Sequence, residues 1–416
     1  MMAWLVAGVN LTLLAASGLG APAPVTVGTW EIVLAAGLGF SVLLLGIGIV
    51  VGRARVVSRE QLVALLLLPA FGVPVIVSIV MAGLRGVPTD LAARSAIPYL
   101  AFLPVALLGL LVGPERRLIV VTAPLLIAGL GQSFYLIALF LLRVPNPTDL
   151  RTVWLARITL LDPRTTLPLL LAAALLPMAA VAAARGAFRR LLWIVPIGLA
   201  GVAALSTQTR SQLVAVVAGV TAFLALHAVW RAARRGERWY RGLLRGAVAG
   251  VVGLIAVIAI LYAIPHTRAL LQALFVRSAT SVDTGRVANE WVPALDAVVG
   301  GGLPDLLAGM GSGQSFITAG GEEQTYVHNL VLYGLVYFGA PGLCLMLLGY
   351  VLLVAGLWRR GYGTGDQRYF ALAALVIALF VYAEFFAVHK LFSYNLMLML
   401  AAQALVQPPG PAVRSG

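Results

Sequence analysis

The chain has 416 residues, 61% of them hydrophobic and only 11% charged, and its mean hydropathy is +0.99. Soluble globular domains carry about 25% charged residues, so that class is excluded. The formal net charge of +14 invites a nucleic-acid reading, but the positions of the charges remove it: the arginines fall between apolar runs near the length of a helical membrane span.

Spans are read at 3–21, 30–51, 62–84, 96–113, 118–142, 167–184, 191–207, 211–230, 246–264, 328–357, 369–388 and 391–407. The first has no basic residue ahead of its apolar core, and Pro22 would sit beside a cut after GLGA. It reads as an uncleaved span, not a signal peptide. Alternating the connections gathers Arg53, Arg55, Arg59, Arg116, Arg117, Arg185, Arg189 and Arg190 on one face. The arginine-rich turn 231–245 joins them, with Arg359, Arg360, Arg368 and Arg414. That face holds 18 of 29 basic residues against 4 of 15 acidic ones, and the other face is balanced at 11 each. Cytoplasmic loops are rich in Lys and Arg, so both termini are expected in the cytoplasm. The basic excess reflects topology, with some contact to anionic membrane lipids, and no nucleic-acid partner is implied.

The expected class is an all-α polytopic membrane protein of about 12 transmembrane helices. Helices one to nine occupy 1–264, a large outer loop 265–327, helices ten to twelve 328–407, and a cytoplasmic tail 408–416. The outer segment 143–166 spaces Leu150, Val153, Trp154, Ile158 and Leu161 with interleaved arginines, as in a helix lying on the membrane surface. The single Cys344 falls mid-span and reads as packing.

Residues 191–230 form a 40-residue apolar stretch, about 60 Å long as one helix against a hydrocarbon core of about 30 Å. It has to fold back, and STQTRSQ is the polar place to do so. Arg210 is thereby held at or just under the outer surface. An arginine at the membrane centre costs at least about 2.5 kcal/mol and less near the edge, so the placement calls for a reason. An anion site is one; snorkelling, or pairing with a structural carboxylate, is the other.

The outer loop of 63 residues is too long to be structureless without a function. A short helix is expected over about 285–299, with Asp283 and Thr284 positioned to cap it. Arg286 in its first turn opposes the helix dipole, which makes sense if it faces an anion; the plainer alternative is an i+4 pair with Glu290. Glycine-rich turns follow at 300–304, 309–313 and 319–321, where tight turns and close backbone approach are possible. The loop empties into His328 and Asn329. An imidazole, with an ordinary pKa of about 6.5, can take a proton from a hydroxyl, and Asn329 can orient it. The remaining histidines, His227, His266 and His389, read as polar residues at interfaces.

Two arginines and one histidine therefore converge at one membrane level. Guanidinium forks bind phosphate oxygens bidentately and stabilise charge on a departing diphosphate. Asp283, Glu290, Glu322 and Glu323 show no metal-ligand spacing, so neither metal nor cofactor is expected.

In order, the chain carries an arginine in a Ser/Thr-rich turn (STQTRSQ), an Arg-x4-Trp helix (RVANEW), a glycine turn with Gly311, Gly313 and Phe316, His-Asn opening a span, and FGAPG with Gly339 and Gly342. Over roughly 190–357 this resembles the O-antigen ligase and polymerase superfamily of bacterial envelope glycosyltransferases. The resemblance implies a GT-C-like fold in the inner membrane. It further implies metal-independent, inverting transfer of a glycan from an undecaprenyl-pyrophosphate carrier at the periplasmic face to a lipid or glycan acceptor, such as lipid A–core or another carrier-linked chain. By position, Arg210 and Arg286 match the arginines that grip the pyrophosphate, and His328 the residue that activates the acceptor or assists the leaving carrier. Asn329 and Trp291 join the substrate-binding set. The glycine turn lacks the usual proline just before it, the nearest being Pro304, and the GGEEQ ahead of the histidine is acidic.

Two other readings stand beside this one. A cell-wall glycan synthase of the rod-shape or division type would rely on a loop aspartate, for which Asp283 is available. A lipid-linked glycan transporter would want charge near the bilayer midplane, where Glu384 is the main candidate.

Overall fold

A computed structural model describes residues 2–19, 27–50, 67–113, 118–143, 163–207, 210–263, 286–385 and 392–406, with Arg116, Pro265, Arg268 and Gln272 between them. The surface helix expected within 143–166, the cap residues Asp283 and Thr284, and His266 and His389 lie outside the described residues.

The architecture is helical. Met2–Leu19 (α1) and Val27–Val50 (α2) come first, followed by Leu67–Leu84 (α3), Thr89–Leu100 (α4) and Leu103–Leu107 (α5). The central part holds Ile119–Arg143 (α6), Pro163–Ala183 (α7), Ala187–Ser206 (α8), Arg210–Arg234 (α9) and Trp239–Ala263 (α10). The loop contributes Val292–Gly300 (α11) and Gly302–Ala308 (α12), then Leu330–Thr364 (α13), Gln367–Ala383 (α14) and Phe392–Val406 (α15) complete the chain. A two-stranded antiparallel pairing, Phe316–Ile317 (β1) against Glu323–Gln324 (β2), is the sheet among the described residues.

The expected count of twelve spans is not shown. Among the described residues six helices are long and apolar enough to cross a membrane, and five further apolar ones are shorter. The chain is thus an all-α membrane protein. Its outer helices face lipid with large apolar side chains: Phe188, Leu191, Leu192 and Val195 on α8, and Leu244, Val252 and Ile255 on α10, are more than half exposed. The middle is occupied by α14 and α15, where Ser393 through Val406 are all buried. A polar knot ties that centre together. Asn10 Nδ2 donates to Gln403 Oε1 and to the Val120 carbonyl, each at 2.8 Å, and Gln403 Nε2 donates to the Val105 carbonyl at 3.0 Å. Groups with no water to satisfy them have to satisfy one another.

Several boundaries differ from the sequence reading. The span expected over 96–113 is broken into α4, α5 and a 3-10 turn over Leu108–Leu111, since Pro104 follows the break at 101–102 and cannot continue the α4 hydrogen-bond ladder. Cys344 points out of the bundle and is not a packing residue. Helix α14 ends at Ala383, so Glu384 caps its C-terminus and does not lie inside the span.

Helix α13 is two pieces joined at Gly339, whose φ of 71° and ψ of 174° interrupt the helix. Beyond the kink, 340–364 is about 37 Å long at 1.5 Å per residue, enough to span. The kink exists because the loop docks there: a Cβ on Gly339 would run into the Leu307 carbonyl at the end of α12. The loop then threads back under the bundle. Met310 N–H donates to the Val336 carbonyl at 2.7 Å, Ser312 N–H donates to the Ser78 carbonyl at 3.1 Å, and the Ser78 and Ser312 hydroxyls meet at 2.9 Å. Gly311, at φ 92°, lies where a Cβ would sit 2.6 Å from the Ala82 nitrogen. Arg85, in the α3–α4 turn, grips both carboxylate oxygens of Asp305. The glycine turn is thus a structural staple fixing the loop to α3 and α13.

Candidate functional site

The site is assembled at the end of the bundle where α9 and α13 begin and α14 ends. Asn329 is the N-cap of α13: its Oδ1 accepts Leu332 N–H at 2.8 Å, satisfying one of the orphan donors of a helix start. Its Nδ2 donates to Glu384 Oε2 at 2.8 Å and to the Glu384 carbonyl at 3.2 Å. One residue earlier, His328 is held by the loop. Its Nδ1 lies 2.8 Å from Glu290 Oε2, and its backbone N–H donates to Glu290 Oε1. Tyr326 sets its ring edge-on to the imidazole, with centroids 5.0 Å apart.

Glu290 belongs to a π-helical turn, Val287–Trp291, that runs into α11. Such turns appear mostly as single insertions and often at functional sites. Glu290, Ala294 and Val298 recur every four residues and are all buried, so the carboxylate lies on the apolar stripe of its own helix. Burial pushes the Glu290 carboxyl up. The hydrogen bonds from the His328 ring and backbone, the imidazole's charge and Gln324 outweigh that, and hold it below the ordinary carboxylate value.

Arg286 opens the same helical segment, one turn before Glu290. Its NH1 donates to the Phe385 carbonyl at 2.9 Å. The alternative i+4 pair with Glu290 does not form; Glu290 is engaged by His328. The contacts close into a circuit: Arg286 to Phe385, its neighbour Glu384 to Asn329, His328 to Glu290, and Glu290 back along one turn to Arg286. Arg286 and Asn329 thus both bond the backbone at 384–385, and His328 joins them through its neighbour Asn329 and through Glu290.

Arg210 is the first residue of α9, and the chain does fold back at 207–210 as its length demands. Helices α9 and α14 run antiparallel: His227 Nδ1 lies 2.5 Å from Gln367 Oε1, and a Cβ on Gly219 would sit 3.0 Å from that of Ala378. From this pair Arg210 is nine residues, about 13 Å, along α9, and Phe385 seven residues, about 10 Å, along α14. The α9 start is thus level with the 384–385 turn. The Arg210 side chain itself lies outside what the structure describes.

Trp291 is half-buried against the core, and its indole N–H is buried with no partner among the described residues. GGEEQ forms the exposed end of the β1–β2 pairing, with Thr318 N–H donating to the Glu322 carbonyl at 2.9 Å. Among the described residues no group of three or more His, Cys, Asp or Glu is placed to hold a metal ion. The arginine-rich turns lie at the opposite end, where Arg234 covers the Trp230 ring at 5.6 Å beside the 365–366 turn.

Sequence reasoning misses two residues of the site. Glu290 reads there only as a partner of Arg286 or a metal ligand, although its four-residue spacing to Ala294 and Val298 marks it as buried. Glu384 reads as an intramembrane charge, whereas it anchors Asn329.

Chemically, the patch combines an imidazole hydrogen-bonded to a carboxylate, a guanidinium, and the N-terminus of α13. A helix N-terminus offers partial positive charge, a setting that favours anions. No protein-family model matches the chain, and a search of curated proteins finds no match.

Proposed function

We propose that the chain is a membrane glycosyltransferase of the O-antigen ligase or polymerase type. It moves a glycan from an undecaprenyl-pyrophosphate carrier to a lipid or glycan acceptor at the periplasmic face of the bacterial inner membrane. The observation that supports this reading is the set of contacts around the 384–385 turn, in which Arg286 donates to the Phe385 carbonyl and Glu384 takes the amide of Asn329, the residue next to His328.

In this reading Arg286 and Arg210, with the helix N-termini around them, hold the diphosphate and take up the charge that grows on it as the glycosidic bond to the carrier breaks. His328 removes the proton of the acceptor hydroxyl. Asn329 fixes the start of α13, and Trp291 supplies an apolar wall for the sugar. The prenyl tail stays in lipid, so the chemistry has to occur at bilayer depth, where these helix ends lie. The wider topology belongs to the same proposal: twelve spans, residues 265–327 as a periplasmic loop, and both termini with the arginine-rich turns in the cytoplasm.

The test is transfer in detergent or nanodiscs with a synthetic polyprenyl-pyrophosphate oligosaccharide and candidate acceptors, with and without chelator. A new glycosidic bond, lost in His328→Ala and unaffected by chelator, is expected. Movement of the lipid-linked glycan across liposomes without bond formation would replace this reading with transport. Activity surviving His328→Ala but lost in Asp283→Ala would point to the cell-wall synthase type.

A further inference from the structure

We infer that Glu290 is a positioning residue for His328, holding the imidazole in the tautomer that leaves Nε2 as the base and making that base competent only while the loop is docked. This rests on the transfer reading above. An ionised carboxylate can only accept hydrogen bonds. With Oε2 at 2.8 Å from Nδ1, the ring proton therefore sits on Nδ1 and the lone pair on Nε2. The second oxygen takes the His328 backbone N–H, so one carboxylate fixes both the place of the residue and the state of its ring. Glu290 is only 5% exposed, and it reaches His328 from a different element, the turn that precedes α11. The depressed carboxyl pKa agrees with the ionised form. Undocking the loop would take Glu290 away from His328, which stands just ahead of the Asn329 cap of α13.

The step this serves is balanced. The acceptor hydroxyl gives its proton to Nε2 as its oxygen bonds to the anomeric carbon. The carbon–oxygen bond to the diphosphate breaks, and its electron pair leaves on the diphosphate. The imidazolium so formed is stabilised by the Glu290 charge across Nδ1–H and then loses its proton to water. Carboxylates that hold a catalytic histidine in this way fix its tautomer and orientation. Among the described residues, the Tyr326 edge faces the imidazole, Gln324 also bonds Glu290, Arg286 lies one turn from Glu290, and Glu384 is reached through Asn329.

The experiment compares Glu290→Gln, Glu290→Asp and His328→Ala in the full chain, reading release of polyprenyl diphosphate and glycan transfer from a synthetic donor across pH. Glutamine has one oxygen for the two His328 donors and no charge. It is expected to lower kcat about 10²–10³-fold with little change in KM for the donor. The acid limb of kcat/KM should move down, because an opposite charge beside the base is lost. Glu290→Asp, which keeps the charge, is expected to retain the wild-type acid limb and part of the rate. Wild-type kcat in Glu290→Gln would overturn the proposal. So would a reduced kcat with an unmoved acid limb in both variants, which would make Glu290 a structural prop. Activity in His328→Ala would instead remove the transfer reading itself, whatever Glu290 does.

Discussion

Asn329 spans two helices with one amide: its oxygen caps α13 through Leu332 N–H at 2.8 Å, and its nitrogen donates to the Glu384 carboxylate at the end of α14, also at 2.8 Å. The contact is economical because each end has a polar group to satisfy in a place poor in water. It also sets the neighbours on either side. His328 precedes the cap, and the Phe385 carbonyl that receives Arg286 follows Glu384. A single amide thus locks the spacing between the base and the guanidinium.

Replacing that amide separates its two roles. Asn329→Ser keeps a capping oxygen and loses the donor to Glu384. Asn329→Asp also keeps a cap but sets two carboxyl groups against each other. Asn329→Ala loses both, including a cap of about 1 kcal/mol. At neutral pH the aspartate variant is expected to melt below the serine variant, and acidification that protonates one carboxyl should narrow the gap. Thermal unfolding in detergent at two pH values measures it, and a gap independent of pH would count against the Asn329–Glu384 contact.

The arginines are expected to fail in graded fashion. Arg286→Ala and Arg210→Ala should abolish transfer while the protein still inserts. Lysine at either position should restore little, since a point charge does not reproduce the planar fork. Single-turnover transfer with a lipid-pyrophosphate donor, normalised to folded protein by size-exclusion, is the measurement. Full activity in Arg210→Lys would argue for a simple interfacial charge.

The amino-acid sequence carries much of this architecture, but unevenly. The fold-back at 207–210 follows from length alone, because a 40-residue apolar helix does not fit the bilayer. The helix after residue 285 follows from apolar spacing. The partners do not. Whether Glu290 turns to Arg286 on its own helix or to His328, 38 residues away, depends on how the loop packs, and local spacing favours the wrong one. The glycine turn reads as part of a working loop, whereas Gly309, Gly311 and Gly339 are places where two backbones touch. Such contact leaves no trace in hydrophobic periodicity.

The glycines themselves offer a contrast that can be measured. Gly311 and Gly321 both have positive φ, at 92° and 79°. A Cβ at Gly311 meets the Ala82 backbone, but at Gly321 it meets nothing within 4 Å. Gly321→Ala is expected to cost only the left-handed backbone strain, about 1–2 kcal/mol. Gly311→Ala adds a clash that neither chain segment can relieve, and should lower folded yield and melting temperature far more. Equal effects would mean that the staple between the loop and α3 is not as described.

Acid is expected to release the loop through Glu290. Its folded-state pKa lies below its ordinary value of 4.5, so the folded form binds the proton less readily than the unfolded one. The stability this contributes is fully present above about pH 4.5, the unfolded value, and is lost as pH falls through the lower folded value. Hydrogen exchange of residues 286–300 should therefore stay protected from neutral pH down to the ordinary carboxylate range and lose protection only below it. Glu290→Gln should show weaker protection at neutral pH, because one oxygen cannot serve both His328 donors, and little further loss in acid. If wild type and variant lost protection in parallel, another carboxylate would be responsible.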